Sequence, residues 1–163
     1  MRRAMRLALY QPDIPQNAGT LIRFGACLGV AVDLIGPAGF NTSERAFRRA
    51  GMDYLEAADL AAHTSFDAFE AWRRSGPEPR RLILLTTKAT TAYTDFQFAP
   101  SDILMVGRES AGVPDDVHAA ADARIAIPMQ AGARSLNVAV AAAMVLGEAL
   151  RQIAAFNRLG EDR

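Results

Sequence analysis

The chain has 163 residues, half of them apolar, which suits one domain with a real core; we predict a single domain over residues 1–163, with residues 1–4 as an extension. Its 18 basic and 18 acidic side chains balance, so nucleic acid could bind only at a local basic patch. One cysteine and two distant histidines argue against a disulfide framework and a zinc site, and no apolar run is long enough to span a membrane, so we expect a cytoplasmic protein without a membrane anchor.

Strand-like and helix-like segments alternate along the chain. Short apolar runs bounded by Gly, Pro or charged residues are typical of buried parallel strands, and they cover residues 6–10, 31–35, 81–86, 102–106 and 124–127. Helices are predicted between them, at residues 15–28, from Thr42 or Ser43 to 50, at 65–74, at 114–121 and from Ser135 to about 157. This alternation predicts an α/β fold with a mainly parallel sheet flanked by helices.

The first and last predicted helices carry more apolar surface than one small domain can bury. Residues 136–146 are apolar on almost every side, and the helix at 15–28 is nearly so outside Arg23. A helix that is apolar all round is buried on more than one side. We therefore expect a homodimer with both helices in the interface.

Three polar clusters stand where a predicted strand gives way to a helix, the place where open α/β sheets bind ligands. In chain order they contain Asn17 and Arg23; Gly107, Glu109 and Gly112; and Ile127, Met129, Ser135 and Asn137. Each cluster taken alone is equally typical of a capped helix or a glycine-bounded turn with nothing bound.

A basic face is predicted on the second helix. Arg45, Arg48 and Arg49 fall on this short segment. Such a face is usually only solvated, but it is the best local candidate for contacts with the phosphates of a nucleic acid.

Together and in this order, the three clusters resemble the SPOUT family of RNA methyltransferases. The segments are Asn17-x-Gly19-x-x-x-Arg23, Gly107-x-Glu109-x-x-Gly112, and Ser135-Leu136-Asn137 after Ile127-Pro128-Met129. Residues 48–54 and 85–88 are similar to the compact TrmL (YibK-type) branch. The resemblance implies the α/β-knot fold, with a C-terminal trefoil knot that is an exception to the rule against threaded loops. It also implies S-adenosylmethionine as methyl donor, no metal, and a homodimer.

The resemblance further implies roles for individual residues. Arg23 would stabilise the alkoxide that develops on the acceptor ribose, since a guanidinium stays protonated at neutral pH. Asn17 and Glu109 would position Arg23 and the ribose, and Ser135 and Asn137 would shape the pocket. The cofactor would contact Leu85, Thr86, Gly107, Gly112, Ile127, Met129 and Ser135. Arg45, Arg48 and Arg49 would bind RNA.

The implied reaction is methylation of the ribose 2′-oxygen of the wobble nucleotide, cytidine or modified uridine 34, in leucine tRNAs. Three alternatives stay open: a 2′-O-methyltransferase for another tRNA position or for rRNA, a non-catalytic dimeric module that binds RNA or a nucleotide, and a flavodoxin-like domain that binds a small ligand.

Overall fold

The molecule is built on one six-stranded sheet in which every pairing is parallel. The structure is a computed structural model and describes residues 4–41 and 43–161. The strands are β1 (Arg6–Tyr10), β2 (Ala31–Ile35), β3 (Leu60–His63), β4 (Leu82–Leu85), β5 (Ile103–Val106) and β6 (Ala123–Ile125). The helices are α1 (Pro15–Leu28), α2 (Arg45–Gly51), α3 (Tyr54–Ala57), α4 (Phe66–Arg74), α5 (Asp115–Ala120) and α6 (Val138–Gln152).

Helices cover both faces of the sheet because side chains alternate along each strand. In β1, Leu7 and Leu9 pack on one face with α1, α2 and α6, while Ala8 and Tyr10 pack on the other with α4 and α5. This layering confirms the predicted parallel sheet flanked by helices. The trefoil knot stays a prediction, and the expected extension at residues 1–4 falls outside the described residues except for Ala4.

The strand order β3-β2-β1-β5-β4-β6 brings four strand ends together. Val106 at the end of β5 is in register with Leu9 of β1 and with Leu85 of β4, and Leu85 is in register with Ile125 of β6. The chain leaves β1 toward β2 and β3 on one side and returns through β4 and β5 on the other. The order therefore reverses between β1 and β5, the point where such sheets form a ligand crevice.

Strand β3 and the one-turn helix α3 were not predicted. Residues 60–63 read Leu-Ala-Ala-His, and alanine has little preference for strands, so the local pattern is weak. The strand forms at the sheet edge because its backbone pairs with β2 over Val32–Ile35, and the His63 side chain hydrogen-bonds to the buried Asp33 (Nε2 to Oδ1, 2.8 Å). Tertiary pairing overrides propensity here.

The prediction that the last helix runs from Ser135 to about residue 157 is wrong at both ends. The helix begins at Val138, and Asn137 caps it, its Oδ1 accepting hydrogen bonds from the backbone N–H groups of Ala139 and Val140. It ends at Gln152, where Ala154 adopts a left-handed conformation (φ 55°) before a 3-10 turn over Ala155–Arg158.

The start of α2 also differs from the prediction. The helix begins at Arg45 with Glu44 before it, and no side chain caps it. Ser43 is therefore not the cap, and Thr42 lies outside the described residues. Gly51 belongs to the helix instead of following it. The bounds of β1, β2 and α1 agree with the prediction, and the remaining predicted elements differ from it by at most two residues at either end, where helices and strands fray.

Candidate functional site

A cavity of about 440 Å³ opens at the carboxyl edge of the sheet. Its apolar wall comes from the ends of β4 and β5 and from Ile127 and Met129, and its polar wall comes from the segment after β5 and from the entrance to α6. This size and mixture are typical of small-ligand sites, which are mostly apolar with a few well-placed polar groups.

The cavity brings the three sequence clusters together. All seven residues predicted to contact a cofactor line it: Leu85, Thr86, Gly107, Gly112, Ile127, Met129 and Ser135. Four of the five predicted catalytic residues also line it: Asn17, Glu109, Ser135 and Asn137. Arg23 does not.

A chain of side-chain hydrogen bonds joins the clusters. Asn137 Nδ2 donates to Asn17 Oδ1 at 3.1 Å, and Asn17 Nδ2 donates to Glu109 Oε1 at 3.2 Å. Asn17 is only 9% exposed, so its amide has little access to water and depends on these partners. We call Asn17, Glu109 and Asn137 the polar cluster. It fixes two amides and one carboxylate side by side at the cavity wall.

A reciprocal contact ties the segment after β1 to the segment after β5, and sequence reasoning missed it. The backbone N–H of Asp13 donates to Glu109 Oε2 at 3.3 Å, while the N–H of Glu109 donates to Asp13 Oδ1 at 3.1 Å. The Ser110 hydroxyl donates to Asp13 Oδ2. The one signal of this contact in the sequence was that Asp13 stands between Pro12 and Pro15, shortly after a predicted strand.

The two carboxyl groups have opposite pKa shifts. Burial raises the pKa of Glu109, and its contact with the Asp13 side chain raises it further. Hydrogen bonding with the Glu109 side chain lowers the pKa of Asp13, and hydrogen bonds from Ser110 and the backbone lower it further. Of the pair, Glu109 is therefore the one that takes up a proton more readily.

Glycine at position 107 is required by the loop itself. The backbones of Arg108 and Gly112 form two reciprocal hydrogen bonds: Arg108 N–H donates to Gly112 O (N to O, 3.0 Å), and Gly112 N–H donates to Arg108 O (2.8 Å). Gly112 has a φ of 60°. A Cβ on Gly107 would lie 2.7 Å from the carbonyl carbon of Gly112, closer than real Cβ contacts allow. The glycine thus lets the loop fold back on itself and form this side of the cavity.

Arg23 lies on a different side of α1 from Asn17. Arg23 comes six positions after Asn17, which places it about 9 Å along the helix and about 240° around the helix axis from Asn17. Its Nη1 donates to Met52 Sδ at 3.1 Å, and its guanidinium lies 5.3 Å from the centre of the Tyr54 ring. Within one chain, Arg23 therefore faces α3 and not the cavity.

The three arginines predicted to bind RNA all project into solvent from α2. Arg45, Arg48 and Arg49 are exposed, while Phe47 of the same helix is buried against the core. Helix α2 packs closely on α1, because Gly19 leaves room for the backbone at Phe47 and Gly51 and for the Cβ of Ala50. The basic face is thus attached to the helix that carries Asn17.

The part of the chain that the structure describes offers neither a metal site nor a membrane span. In that part of the chain, His, Cys, Asp and Glu side chains form no group of three or more that could hold a metal ion. Over the same residues, no helix has the length and apolar content that crossing a membrane requires.

Comparison with known proteins places this site in a family. The family model described as the SpoU rRNA Methylase family matches residues 4–147. The chain belongs to this family. The SPOUT resemblance drawn from the three clusters is therefore confirmed.

Individual relatives agree with this assignment. A protein of Beijerinckia indica subsp. indica named tRNA (cytidine(34)-2′-O)-methyltransferase is 64% identical over 94% of both chains. A solved structure described as giving insight into 2-OH methylation of C/U34 on tRNA is 39% identical, covers 93% of this chain and 97% of its own, and superposes with a TM-score of 0.85. The SpoU methyltransferase AviRb from Streptomyces viridochromogenes, solved with the cofactor AdoMet, is 28% identical, with a TM-score of 0.82 over 93% of this chain and 60% of its own.

Proposed function

We propose that this protein is a cytoplasmic methyltransferase that uses S-adenosylmethionine to methylate the ribose 2′-oxygen of nucleotide 34 in tRNA, with leucine tRNAs as its substrates. The observation that carries the proposal is the cavity in which all three family motifs meet around the polar cluster. The names of the relatives support the reaction and the nucleotide. The leucine isoacceptors rest on the sequence resemblance of residues 48–54 and 85–88.

The residues at the cavity fit the cofactor. Leu85, Ile127 and Met129 give an apolar surface suited to an adenine ring, and the bare backbone at Gly107 and Gly112 leaves peptide groups accessible to a ligand. When bound there, S-adenosylmethionine supplies a sulfonium methyl group as the electrophile.

The chain's own residues have separate tasks in this reaction. Asn17 and Glu109 orient the ribose, because their amide and carboxylate are fixed together at 3.2 Å. Ser135 and Asn137 shape the wall between cofactor and acceptor. Arg23 stabilises the alkoxide as it forms, and the proton leaves to water or to an RNA phosphate.

This assignment of Arg23 depends on a second subunit. Arg23 is outside the cavity of its own chain, so in this proposal it acts at the cavity of a partner chain. Exposed apolar side chains support such a dimer: Val140 and Met144 lie one turn apart on α6, Leu136 stands just before this helix, and Ile14 precedes α1. In the proposed homodimer, α1 and α6 of each chain form the interface.

Calorimetry and methyl transfer test the function directly. The purified protein should bind S-adenosylmethionine and its demethylated product, and should transfer labelled methyl groups to leucine tRNA transcripts but not to a transcript with a 2′-deoxy nucleotide 34. A folded protein that binds neither compound contradicts the methyltransferase proposal. Transfer to other tRNAs as fast as to leucine tRNAs contradicts only the isoacceptor assignment.

Mixed dimers test the placement of Arg23. Arg23→Ala should lower turnover about 10²–10³-fold with cofactor affinity unchanged, the usual effect of losing a charge-stabilising donor. When Arg23→Ala and Gly107→Val chains are co-expressed and pair at random, about one quarter of wild-type activity should return. Half of the dimers then contain one chain of each kind, and each of these holds one complete site out of two. No restoration means that Arg23 acts within its own chain, and wild-type turnover by Arg23→Ala means that it has no role.

A further inference from the structure

Arg108 brings a positive charge to the cavity wall. Among the described residues that line the cavity, Arg108 is the single basic one. Its guanidinium lies 5.6 Å from the centre of the Tyr10 ring, and its Nε donates to Gly112 O at 3.3 Å. Tyr10 is itself buried and packs edge-on against Phe66. The side chain is therefore held in place by an anchored ring and by the loop.

The charge of Arg108 is not neutralised within the part of the chain that the structure describes. No carboxylate there lies within ion-pair distance of it, although Glu109 is its neighbour in sequence. Glu109 instead contacts Asn17 and Asp13, on the side of the sheet covered by α1. The two Nη groups of Arg108 have no hydrogen-bond partner among the same residues. A fixed guanidinium with free N–H groups at a cavity wall fits an anionic ligand.

We propose that Arg108 binds the α-carboxylate of the methionyl tail of S-adenosylmethionine. This inference rests on the proposed function, because it takes the cofactor as given. The carboxylate is the one anionic group of that cofactor, and a guanidinium matches it with two parallel hydrogen bonds. The guanidinium of Arg108 lies over the ring of Tyr10, which packs on the face of the sheet opposite α1. The tail and the reacting methyl group then occupy different parts of the cavity.

An RNA phosphate is the competing anion, and the structure favours the carboxylate. Arg45, Arg48 and Arg49 are exposed, as residues that contact a large polyanion are, whereas Arg108 is partly buried in the wall of the cavity. A side chain at this depth is better placed for a ligand inside the cavity than for one at its rim.

Calorimetry with two ligands separates these cases. S-adenosylhomocysteine carries the carboxylate, while 5′-methylthioadenosine has the same nucleoside and thioether sulfur without the amino acid. Arg108→Met should weaken S-adenosylhomocysteine binding about 10- to 100-fold, as expected for loss of a charged hydrogen bond. It should leave methylthioadenosine binding within about twofold, and Arg108→Lys should fall between wild type and Arg108→Met.

The alternatives give different results. Equal weakening of both ligands shows that Arg108 only supports the loop and overturns the proposal. Unchanged S-adenosylhomocysteine binding with weaker tRNA binding assigns the residue to a phosphate and also overturns it. The carboxamide of S-adenosylhomocysteine provides a test on the unmutated protein, which should bind it at least about tenfold more weakly than the acid. If wild type binds none of these ligands, the proposed function itself has failed.

Discussion

The cavity and the surface of α1 and α2 hold their polar side chains in different ways. At the cavity, Asn17 and Glu109 are positioned by hydrogen bonds from three distant segments. On the surface of α2, Arg45, Arg48 and Arg49 extend into water. The difference indicates that one chain orders the side chains of the polar cluster by itself, whereas it leaves those of the basic surface in contact with water. Substitutions in the two regions should therefore differ in which ligand they affect.

The largest effect is expected at Gly107. A valine there would place its Cβ 2.7 Å from the carbonyl carbon of Gly112, so the loop must open. We expect Gly107→Val to reduce S-adenosylmethionine affinity by at least about 100-fold, beyond the range of a single lost hydrogen bond, measured by calorimetry.

Gly147 provides the matched control for this loop substitution. It lies in α6, and within one chain a Cβ built on it meets no atom within 4 Å. Gly147→Ala should keep wild-type affinity and gain up to about 1 kcal/mol of stability from helix propensity. Unchanged cofactor affinity in Gly107→Val would show that the loop does not form the cofactor site.

A smaller effect on a different ligand is expected on α2. Arg48→Ala combined with Arg49→Ala should weaken tRNA binding about tenfold and reduce the slope of log affinity against log salt by about 1–2, because phosphate contacts are lost. Cofactor affinity should not change. Gel shifts at several salt concentrations measure this.

Arg74 serves as the control for the basic surface. It is an exposed arginine on α4, and its charge is paired with Glu70 at 2.9 Å. Arg74→Ala should leave both the affinity and the salt slope unchanged. If it lowers the slope as much as the α2 variant does, the binding surface is not α2.

The sequence predicted which residues line the cavity better than it predicted where Arg23 lies. Motif residues on three segments could be assigned to one edge because the ends of parallel strands meet there, and the structure places Leu85, Gly107 and Ile127 around one cavity. The Asp13–Glu109 contact could not be predicted, since it depends on how two loops from β1 and β5 approach. Strand β3 depends in the same way on pairing at the sheet edge. The proposed role of Arg23 requires a second chain, and the periodicity of the sequence indicates only that apolar surface remains on α1 and α6.

The capping of α6 separates the structural and ligand-binding roles of Asn137. Asn137→Ala removes the acceptor for the N–H groups of Ala139 and Val140 and should cost about 1 kcal/mol of unfolding free energy. Asn137→Ser retains a capping oxygen and should lower the unfolding free energy by only about a few tenths of a kcal/mol. Both variants lose the bond to Asn17 and should weaken cofactor binding alike. Urea unfolding measures the difference in stability between Asn137→Ala and Asn137→Ser. Equal losses in the two variants would mean that the cap is not what stabilises α6.

The smallest effect concerns the two carboxyl groups that hold the cavity loops. The pKa of Glu109 is raised in the folded protein, so this residue contributes stability at pH values below its ordinary pKa of 4.5, and that contribution is lost as the pH rises through the raised value. The pKa of Asp13 is lowered, so its contribution is present above its ordinary value of 3.8 and is lost only at more acidic pH.

Unfolding free energies of two variants, followed upward from pH 4.5, distinguish the contributions of the two carboxyl groups. The stability of wild type relative to Glu109→Gln should decrease as the pH rises, because glutamine does not titrate. Relative to Asp13→Asn it should decrease less, because Asp13 itself remains ionised and its contact with Glu109 accounts for only part of the raised Glu109 pKa. A constant difference for Glu109→Gln would show that Glu109 is charged over the whole range, and the polar cluster would then hold a fully ionised carboxylate beside Asn17 during catalysis.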